Sequence, residues 1–344
     1  MSGYAAVVAS ASRALSAPIT RFADAVLRGF GQVMLQDNPV TGGLFLLGVC
    51  IGDWVCGLYA LLGTSVSTAT AMLFGAPRAA VGRGLYGFNG ALVGIALASY
   101  LRHDSLLPVY VAAASIFAAV ATAGLGNAWG ARLPALTAPF VLTTWFFVLA
   151  RFDPGRLGGA PVPGVPQPPA DAAAASGPAD AVAGVLDGLA QVMLQQSVWT
   201  GVVFLVALAV ASRTACAAAA LGSALGLGVA WTLGAAPEDM RDGLYGFNAA
   251  LTAIALGGTF YRLDFAGVAL AALGACVSTV VYAALDATIG RAGVPVLTAP
   301  FVATTWLCLL AGPSLARLRT PPAARAVDGD AAGGPGPDPQ QGGP

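Results

Sequence analysis

The amino-acid sequence predicts an all-α membrane protein with two inverted repeats of about five transmembrane helices each, plus re-entrant or half-length helices that line a central pore. Three observations predict this fold class. Hydrophobic residues make up 57% of the 344 positions and charged residues only 9%, whereas soluble domains contain about 25% charged residues. Three sequence blocks occur twice in the same order. Prolines interrupt apolar segments at matching places in both halves.

Charge balance and cysteine spacing exclude several classes of function. The 16 basic and 16 acidic residues cancel, and no basic block is available to neutralise phosphates, which argues against nucleic-acid binding. The five cysteines lie in apolar stretches without Cys-x-x-Cys or Cys/His spacing, so neither a disulfide framework nor a zinc site is predicted. The sequence also lacks glycine-rich phosphate loops and nucleophile triads. It therefore predicts no cofactor and no enzymatic activity.

The internal repeat determines the domain organisation. The block QVMLQ recurs unchanged 159 residues later, GLYGFNGAL recurs as GLYGFNAAL at the same spacing, and LTAPFVLTTW recurs as LTAPFVATTW 161 residues later. Three blocks in one order at nearly one spacing indicate a duplication. The copies occupy Gln32–Gln36 and Gln191–Gln195, Gly84–Leu92 and Gly243–Leu251, and Leu136–Trp145 and Leu297–Trp306.

The predicted domains follow from this duplication. They are an N-terminal segment (1–21), repeat 1 (22–151), a Pro/Gly/Ala-rich linker (152–180), repeat 2 (181–312) and a tail expected to be disordered (313–344). The start lacks the charged region of a cleaved signal peptide, so we expect it to be retained.

Hydropathy within repeat 1 predicts five membrane crossings and one half-length helix, the latter over a shorter amphipathic piece at 22–36. Because a crossing takes roughly 20 apolar residues, each of the five apolar stretches is long enough to be counted. An odd number of crossings inverts the second copy, as in many transporters, and predicts ten crossings in all. The stretches lie at about 40–57, 60–76, 85–101, 107–126 and 134–150.

Charge asymmetry predicts the orientation. The linker carries only Arg151 and Arg156, whereas more arginines flank the two termini. By the positive-inside rule we expect a multi-pass protein of the cell (inner or plasma) membrane with both termini cytoplasmic. The flanking arginines are Arg13, Arg21, Arg28, Arg317, Arg319 and Arg325.

The LTAPF block is the most informative motif, because Pro139 and Pro300 lie in otherwise helical segments. A proline inside a helix removes a hydrogen bond and displaces the carbonyl four residues back, which would free the carbonyls of Ala135 and Val296. In a membrane, free carbonyls are tolerated where they line a wet cavity. The repetition, with a threonine (Thr137 or Thr298) two residues before each proline, favours a solute pathway over a simple kink healed by the threonines.

Matched polar and aromatic residues are further candidates for the pathway. Gln32 and Gln191 occupy equivalent apolar surroundings, where a buried amide needs partners; spacing alone leaves a pathway role and interhelical hydrogen bonding equally open. Phe88 and Leu92 lie four residues apart on one helical face, as do Phe247 and Leu251, and such pairs usually pack in a core. The intervening Asn89 and Asn248 suggest close helix packing.

The ionisable residues inside apolar segments do not repeat. The residue 159 positions after Asp53 is Ser212, and the residue 159 positions before Asp286 is Asn127. A proton relay on a symmetry axis would be expected to repeat, so both aspartates are interpreted as loop-edge or interfacial charges. The single histidine, His103, lies between Arg102 and Asp104 and is predicted to be in a loop.

At these motifs the sequence resembles the urea transporter family, channel-like proteins of bacteria and vertebrates. The resemblance covers roughly residues 22–150 and 181–312. It rests on the paired LPALTAPF and VPVLTAPF, the doubled LYGFN, and QVMLQDNPVTG with its second copy QVMLQQSVWTG. It implies a homotrimer in which each protomer passes urea down its gradient through its own pore, without ion coupling.

The resemblance also implies roles for individual residues. Gln32 and Gln191 would begin two ladders of hydrogen-bond acceptors, and Thr137 and Thr298 would mark the pore centre. Apolar side chains would form slots for the flat urea molecule. These slot residues would be Phe88, Leu92, Phe247 and Leu251, with Leu35 and Leu194.

Two departures from the family bear on selectivity. Many members have Phe in place of Leu35 and Leu194, and some bacterial members have Glu in place of Gln191. The alternative function is a channel for another small neutral solute such as ammonia, short amides or water. An ammonia channel would be expected to have pore histidines, a water channel paired Asn-Pro-Ala motifs, and a coupled symporter repeated carboxylates; the sequence shows none of these.

Overall fold

A computed structural model describes residues 18–130, 133–150 and 178–320, and these residues form helices and turns without a strand. Most of the predicted N-terminal segment (to residue 17), of the linker (to residue 177) and of the tail (from residue 321) lies outside the described residues. The all-helical fold class is confirmed for the part of the chain that is described.

The two halves contain the same series of seven helices. In the first half these are α1 (18–32), α2 (Pro39–Gly52), α3 (Trp54–Leu73), α4 (Arg78–Gly82), α5 (Gly87–Tyr100), α6 (Leu107–Trp129) and α7 (Ala138–Leu149). In the second half they are α8 (Pro178–Ala190), α9 (Val198–Ala211), α10 (Arg213–Thr232), α11 (Pro237–Arg241), α12 (Phe247–Ile254), α13 (Phe265–Leu285) and α14 (Ala299–Ala311).

Capping residues determine where α2 and α3 begin. The Asn38 side chain accepts hydrogen bonds from the backbone N–H groups of Val40 and Thr41, and the Asp53 side chain accepts one from Val55 N at 2.8 Å. Such N-caps satisfy donors that have no partner within the helix. The predicted crossing at 40–57 is therefore wrong as one helix, because Asp53 ends α2 and caps α3. This position agrees with the expectation that Asp53 lies at a loop edge.

Helix length gives fewer membrane crossings than the ten that hydropathy predicts. Within the described residues, four helices are long and apolar enough to cross a membrane: α3, α6, α10 and α13 with its extension. A fifth candidate is α8 with α9, which are bent by 75° relative to each other. The segment at 134–150 is an irregular stretch followed by the 12-residue α7. Shorter apolar helices of this kind account for the difference, since a 12-residue helix spans about half of a bilayer core.

Two irregular helix ends explain why the repeat spacing grows along the chain. It is 159 residues at Asn89 and Asn248, 160 at Asp104 and Asp264, and 161 at the threonines of LTAPF. The first irregular segment, Ala255–Thr259, follows α12 and is kinked at Gly257 and Gly258, whose backbone angles are not helical. The second, Asp286–Gly290, is a π-helix that follows α13, and a π-turn contains more residues than an α-turn. Each segment thus accommodates one residue that the first half lacks.

The two halves contact each other through matching residues. The Thr41 hydroxyl donates to the Ala207 carbonyl at 2.9 Å, and the equivalent Thr200 hydroxyl donates to the Gly48 carbonyl at 2.8 Å. Between these contacts, the equivalent rings of Phe45 and Phe204 meet at 5.1 Å. The start of α2 therefore lies beside the end of α9, and the end of α2 lies beside the start of α9. Reciprocal contacts of this kind define a local two-fold axis, about which the two copies of one helix run antiparallel.

Candidate pore

The N-termini of α7 and α14 contact each other in the folded chain, where the two repeats meet. Each helix starts in one copy of the LTAPF block, and its N-cap residue is Thr137 or Thr298. The two hydroxyl oxygens lie 2.7 Å apart in a hydrogen bond, and each threonine is only 2% exposed. The structure thus brings together the two threonines that the sequence predicts at the pore centre.

The prolines of this block begin helices and do not interrupt them. Pro139 and Pro300 occupy the second positions of α7 and α14, where a backbone N–H would have no partner within the helix. The predicted free carbonyls are wrong, because Ala135 O accepts from Ala138 N at 3.1 Å and Val296 O accepts from Ala299 N at 3.4 Å.

Strained leucines lie in the repeated blocks, and two of them directly precede the N-caps of these half-helices. Among the described residues, four residues other than glycine have positive φ: Leu35 (61°), Leu136 (48°), Leu194 (53°) and Leu297 (54°). All four belong to the repeated QVMLQ and LTAPF blocks. This conformation costs on the order of 1–3 kcal/mol per residue and tends to occur at functional sites. Because positive φ recurs at equivalent leucines in both repeats, we interpret these four positions as parts of the site.

Two cavities reach the threonine pair from opposite ends. The first has a volume of about 400 Å³ and ends at Thr137; the second has a volume of about 330 Å³ and ends at Thr298. Equivalent side chains line both, together with a phenylalanine from the other repeat. The first contains Gln32, Leu35, Leu85, Tyr86, Phe88 and Phe301, and the second Gln191, Leu194, Leu244, Tyr245, Phe247 and Phe140.

Eight of the ten predicted site residues line these cavities, and Leu92 and Leu251 are the exceptions. Both are completely buried in the core, and neither is among the residues that line the two described cavities. One helical turn separates them from Phe88 and Phe247. That turn places the leucines in the same core cluster as the phenylalanines, and their role in the slots stays a prediction.

The two glutamines have a fixed orientation. Gln32 Nε2 donates to the carbonyl of Arg83 at 3.0 Å, and Gln191 Nε2 donates to the carbonyl of Asp242 at 3.1 Å. Because a carbonyl can only accept, the amide nitrogen must face it. Each glutamine side chain lines a cavity, and its oxygen is left available as a hydrogen-bond acceptor.

Two tryptophans at the end of the LTAPF blocks connect the repeats, and sequence reasoning missed them. Trp145 Nε1 donates to the carbonyl of Pro295 at 2.7 Å, and Trp306 Nε1 donates to the carbonyl of Pro134 at 2.9 Å. Each half-helix thus supports the irregular segment before the other one. The signal was present in the sequence, since both repeated blocks end in Trp.

The asparagines of LYGFN contact the half-helices directly. Asn89 Oδ1 accepts from Phe140 N at 3.1 Å and Asn248 Oδ1 accepts from Phe301 N at 3.0 Å. The interpretation of these residues as helix packing alone is therefore incomplete. The contacts join residues 51 and 53 positions apart, a distance over which no local pattern predicts a hydrogen bond.

The two cavity mouths differ in charge. Asp37 in the first accepts hydrogen bonds from Arg28 at 2.6 Å and from Arg83 at 3.0 Å. Carboxylates line the second mouth instead: Asp239, Asp242 and Asp286. Burial raises the pKa of Asp239 above its usual value, and so do the nearby carboxylates of Glu238, Asp286 and Asp242.

Asp286 lies at a cavity and not merely at a loop edge. It begins the π-helix Asp286–Gly290 and lines the second cavity. Once the first inserted residue is counted, its equivalent in the first half is Gly126, which lines the first cavity. His103 lies in a loop as expected, and its Nε2 is 2.7 Å from the carbonyl of Ala98. In the part of the chain that the structure describes, no three His, Cys, Asp or Glu residues cluster as metal ligands.

Comparison with known proteins identifies relatives over most of the chain. The family described as "Urea transporter" matches residues 23–313. "Urea transporter 1" of Ovis aries is 33% identical over 304 residues, which cover 84% of this chain and 77% of that protein. "Urea transporter 1" of Rattus norvegicus is 32% identical over 301 residues, which cover 85% of this chain and 77% of that protein.

Proposed function

Because the chain belongs to the urea transporter family, we propose that it conducts urea passively along the two cavities and past the threonine pair. Membership of this family makes the chain a multi-pass membrane transporter and not an enzyme, in agreement with the sequence prediction. The observation that carries the proposed route is that two matching cavities end at two threonines in contact with each other.

The cavity walls complement urea chemically. Urea has four N–H donors that lose their water acceptors when the molecule enters a narrow passage, and each unreplaced hydrogen bond costs about 1–3 kcal/mol. The oxygens of Gln32 and Gln191 accept these donors near the mouths, and those of Thr137 and Thr298 accept them at the centre. Rings and leucines cover the two flat, apolar faces of urea, which need no hydrogen bonds.

Electrostatics favour a neutral solute. The N-terminus of a helix carries about half a positive charge, and the N-termini of both α7 and α14 meet at the centre. Positive half-helix ends exclude cations from other selective pores. The charged side chains of both cavities lie toward the mouths, where they cannot couple an ion to the solute at the centre.

The antiparallel α2 and α9 support an inverted arrangement of repeat 1 (22–151) and repeat 2 (181–312) in the membrane. We include in the proposal that both termini are cytoplasmic in the cell membrane, and that the protein is a homotrimer with one pore per protomer. Support for a pore in each protomer comes from the cavities, because both reach the threonine pair that the two repeats of one chain form.

Solute flux into proteoliposomes tests the proposed function. We expect urea to equilibrate without accumulating, at the same rate with or without H⁺ or Na⁺ gradients. Accumulation above the external concentration in vesicles that carry only an ion gradient would contradict passive transport. Parallel measurements with ammonia, acetamide and water test the alternative solutes, and faster flux of any of these than of urea would replace urea as the substrate.

A further inference from the structure

The first turn of each pore half-helix leaves one N–H that needs a side-chain acceptor. In α14, Ala299 N donates to Val296 O, Pro300 has no N–H, and Val302 N donates to Thr298 O. Phe301 N is the remaining donor. Helix α7 has the same pattern, in which Phe140 N is the remaining donor.

A threonine at the N-cap would normally accept this hydrogen bond with its own hydroxyl. In the described residues, neither Thr137 nor Thr298 makes such a capping bond. The acceptor comes from another helix, as Asn248 Oδ1 for Phe301 N and Asn89 Oδ1 for Phe140 N. The two threonine hydroxyls are consequently free to face each other at the centre of the pathway.

The Nδ2 group of each asparagine donates a hydrogen bond to the leucine with positive φ that precedes the threonine. Asn248 Nδ2 donates to the carbonyl of Leu297 at 3.2 Å, and Asn89 Nδ2 donates to the carbonyl of Leu136 at 3.3 Å. Both asparagines are buried, with at most 1% exposure. One side chain therefore connects the left-handed leucine before the threonine with the first turn after it.

We propose that Asn89 and Asn248 are positioning residues that cap the pore half-helices from a neighbouring helix and thereby reserve the threonine hydroxyls for the solute. This inference rests on the proposed function, since it specifies how the pore centre is held open to hydrogen bonding. Without the asparagine, the threonine hydroxyl is the nearest replacement cap. It turns toward its own helix and is lost to the solute.

A double-mutant cycle tests this proposal. We expect Asn248→Ala to reduce urea flux per assembled protein by about tenfold, as much as Thr298→Ala does, because both remove the same acceptor from the solute. The double variant is expected to lose little more than either single variant. Thr252→Ala is the matched control: Thr252 is buried on the same helix, donates to Asn248 O at 2.8 Å and is not among the cavity-lining residues.

Several results would overturn the proposal. One is a double variant whose loss is the product of the two single losses; another is wild-type flux per assembled protein in Asn248→Ala. Asn248→Asp keeps the acceptor for Phe301 N, and its buried carboxyl, in the protonated form, also donates to Leu297 O, so it should conduct better than Asn248→Ala. A variant Asn248→Asp no better than Asn248→Ala would rule out the capping role. Asn89→Ala gives the same test in the other half if Asn248→Ala fails to assemble.

Amide hydrogen exchange separates this proposal from the proposed function, since it needs no transport. The peptide containing Phe301 should stay protected in Asn248→Ala, where Thr298 takes over the cap, and should lose protection in the double variant. Loss of protection already in Asn248→Ala would contradict the replacement cap. Wild-type protein that conducts no urea would instead contradict the proposed function, whatever the exchange shows.

Discussion

The two cavities have the same walls and different mouths. From Gln32 or Gln191 to the threonine pair, most wall residues in one cavity have an equivalent in the other. At the mouths the charges differ: Arg83 corresponds to Asp242, and Asp37, which binds two arginines, corresponds to the uncharged Gln196. The difference teaches that the inner walls keep matching residues in both repeats, whereas the mouths tolerate different charges.

The largest effect is expected where the cavities meet. Thr137→Ala and Thr298→Ala should each reduce urea flux by about tenfold or more, and to the same extent, since each removes one acceptor from a dehydrated solute. Stopped-flow measurements on proteoliposomes, normalised to assembled protein, give the flux. Clearly unequal losses in the two variants would break the symmetry of the inner wall.

A somewhat smaller loss is expected at the glutamines. Gln32→Ala and Gln191→Ala should each reduce flux several-fold, because these residues lie toward the wider, wetter mouths. The matched controls are Gln36→Ala and Gln195→Ala; both are buried in the same block, donate to local carbonyls and are not among the lining residues. If the glutamines only join helices, the variants will lower thermal stability and leave flux per assembled protein unchanged.

Asp53 tests whether an ionisable residue that only caps a helix affects urea flux. Asp53→Asn removes the charge and keeps the cap of α3, because asparagine caps helices about as well as aspartate, and should leave urea flux per assembled protein unchanged. His103→Ala should leave flux unchanged as well. A tenfold flux loss in either variant would place ionisable groups in the mechanism.

The smallest effect concerns the acidic mouth. Because the pKa of Asp239 is raised, the folded protein takes up a proton at higher pH than the unfolded chain, so this residue adds stability as pH falls through the raised pKa. The melting temperature should therefore rise slightly from pH 7 toward pH 5. Asp239→Asn should make that rise smaller, and the remainder comes from other buried carboxyls such as Asp187. The equivalent residue in the first cavity is Ala80, which does not titrate. If the melting temperature of Asp239→Asn rises as steeply with falling pH as that of the wild type, other groups cause the rise.

The sequence predicts the parts of the molecule that the duplication repeats, because two copies of a block reveal which residues stay constant. Eight of the ten predicted site residues line the cavities on this basis. Leu92 and Leu251 are buried in the core, because spacing by one helical turn does not distinguish a cavity wall from the core behind it. The crossing at 40–57 is wrong as one helix because hydropathy averages across Asp53, although an aspartate before an apolar run is itself an N-cap signal.

The contacts that hold the site could not be derived in this way. Proline chemistry alone does not show whether Pro139 interrupts a helix or begins one, since that depends on where the chain enters the helix. The hydrogen bonds from Asn89 and Trp145 join segments that only the folded chain brings together. Local patterns contain the residue types but not their partners.

The two irregular helix ends, Ala255–Thr259 and Asp286–Gly290, give the duplicated chain a tolerance to differences in length. The second half is two residues longer between the repeated blocks, yet Thr298 still lies beside Thr137, because each extra residue is accommodated locally instead of shifting all that follows. Gly257 and Gly258 in the first of these helix ends adopt backbone angles outside the helical range, which confines the irregularity to a few residues. Duplicated membrane proteins can therefore drift in sequence length between conserved blocks, and aligned copies should be compared block by block rather than at one fixed offset.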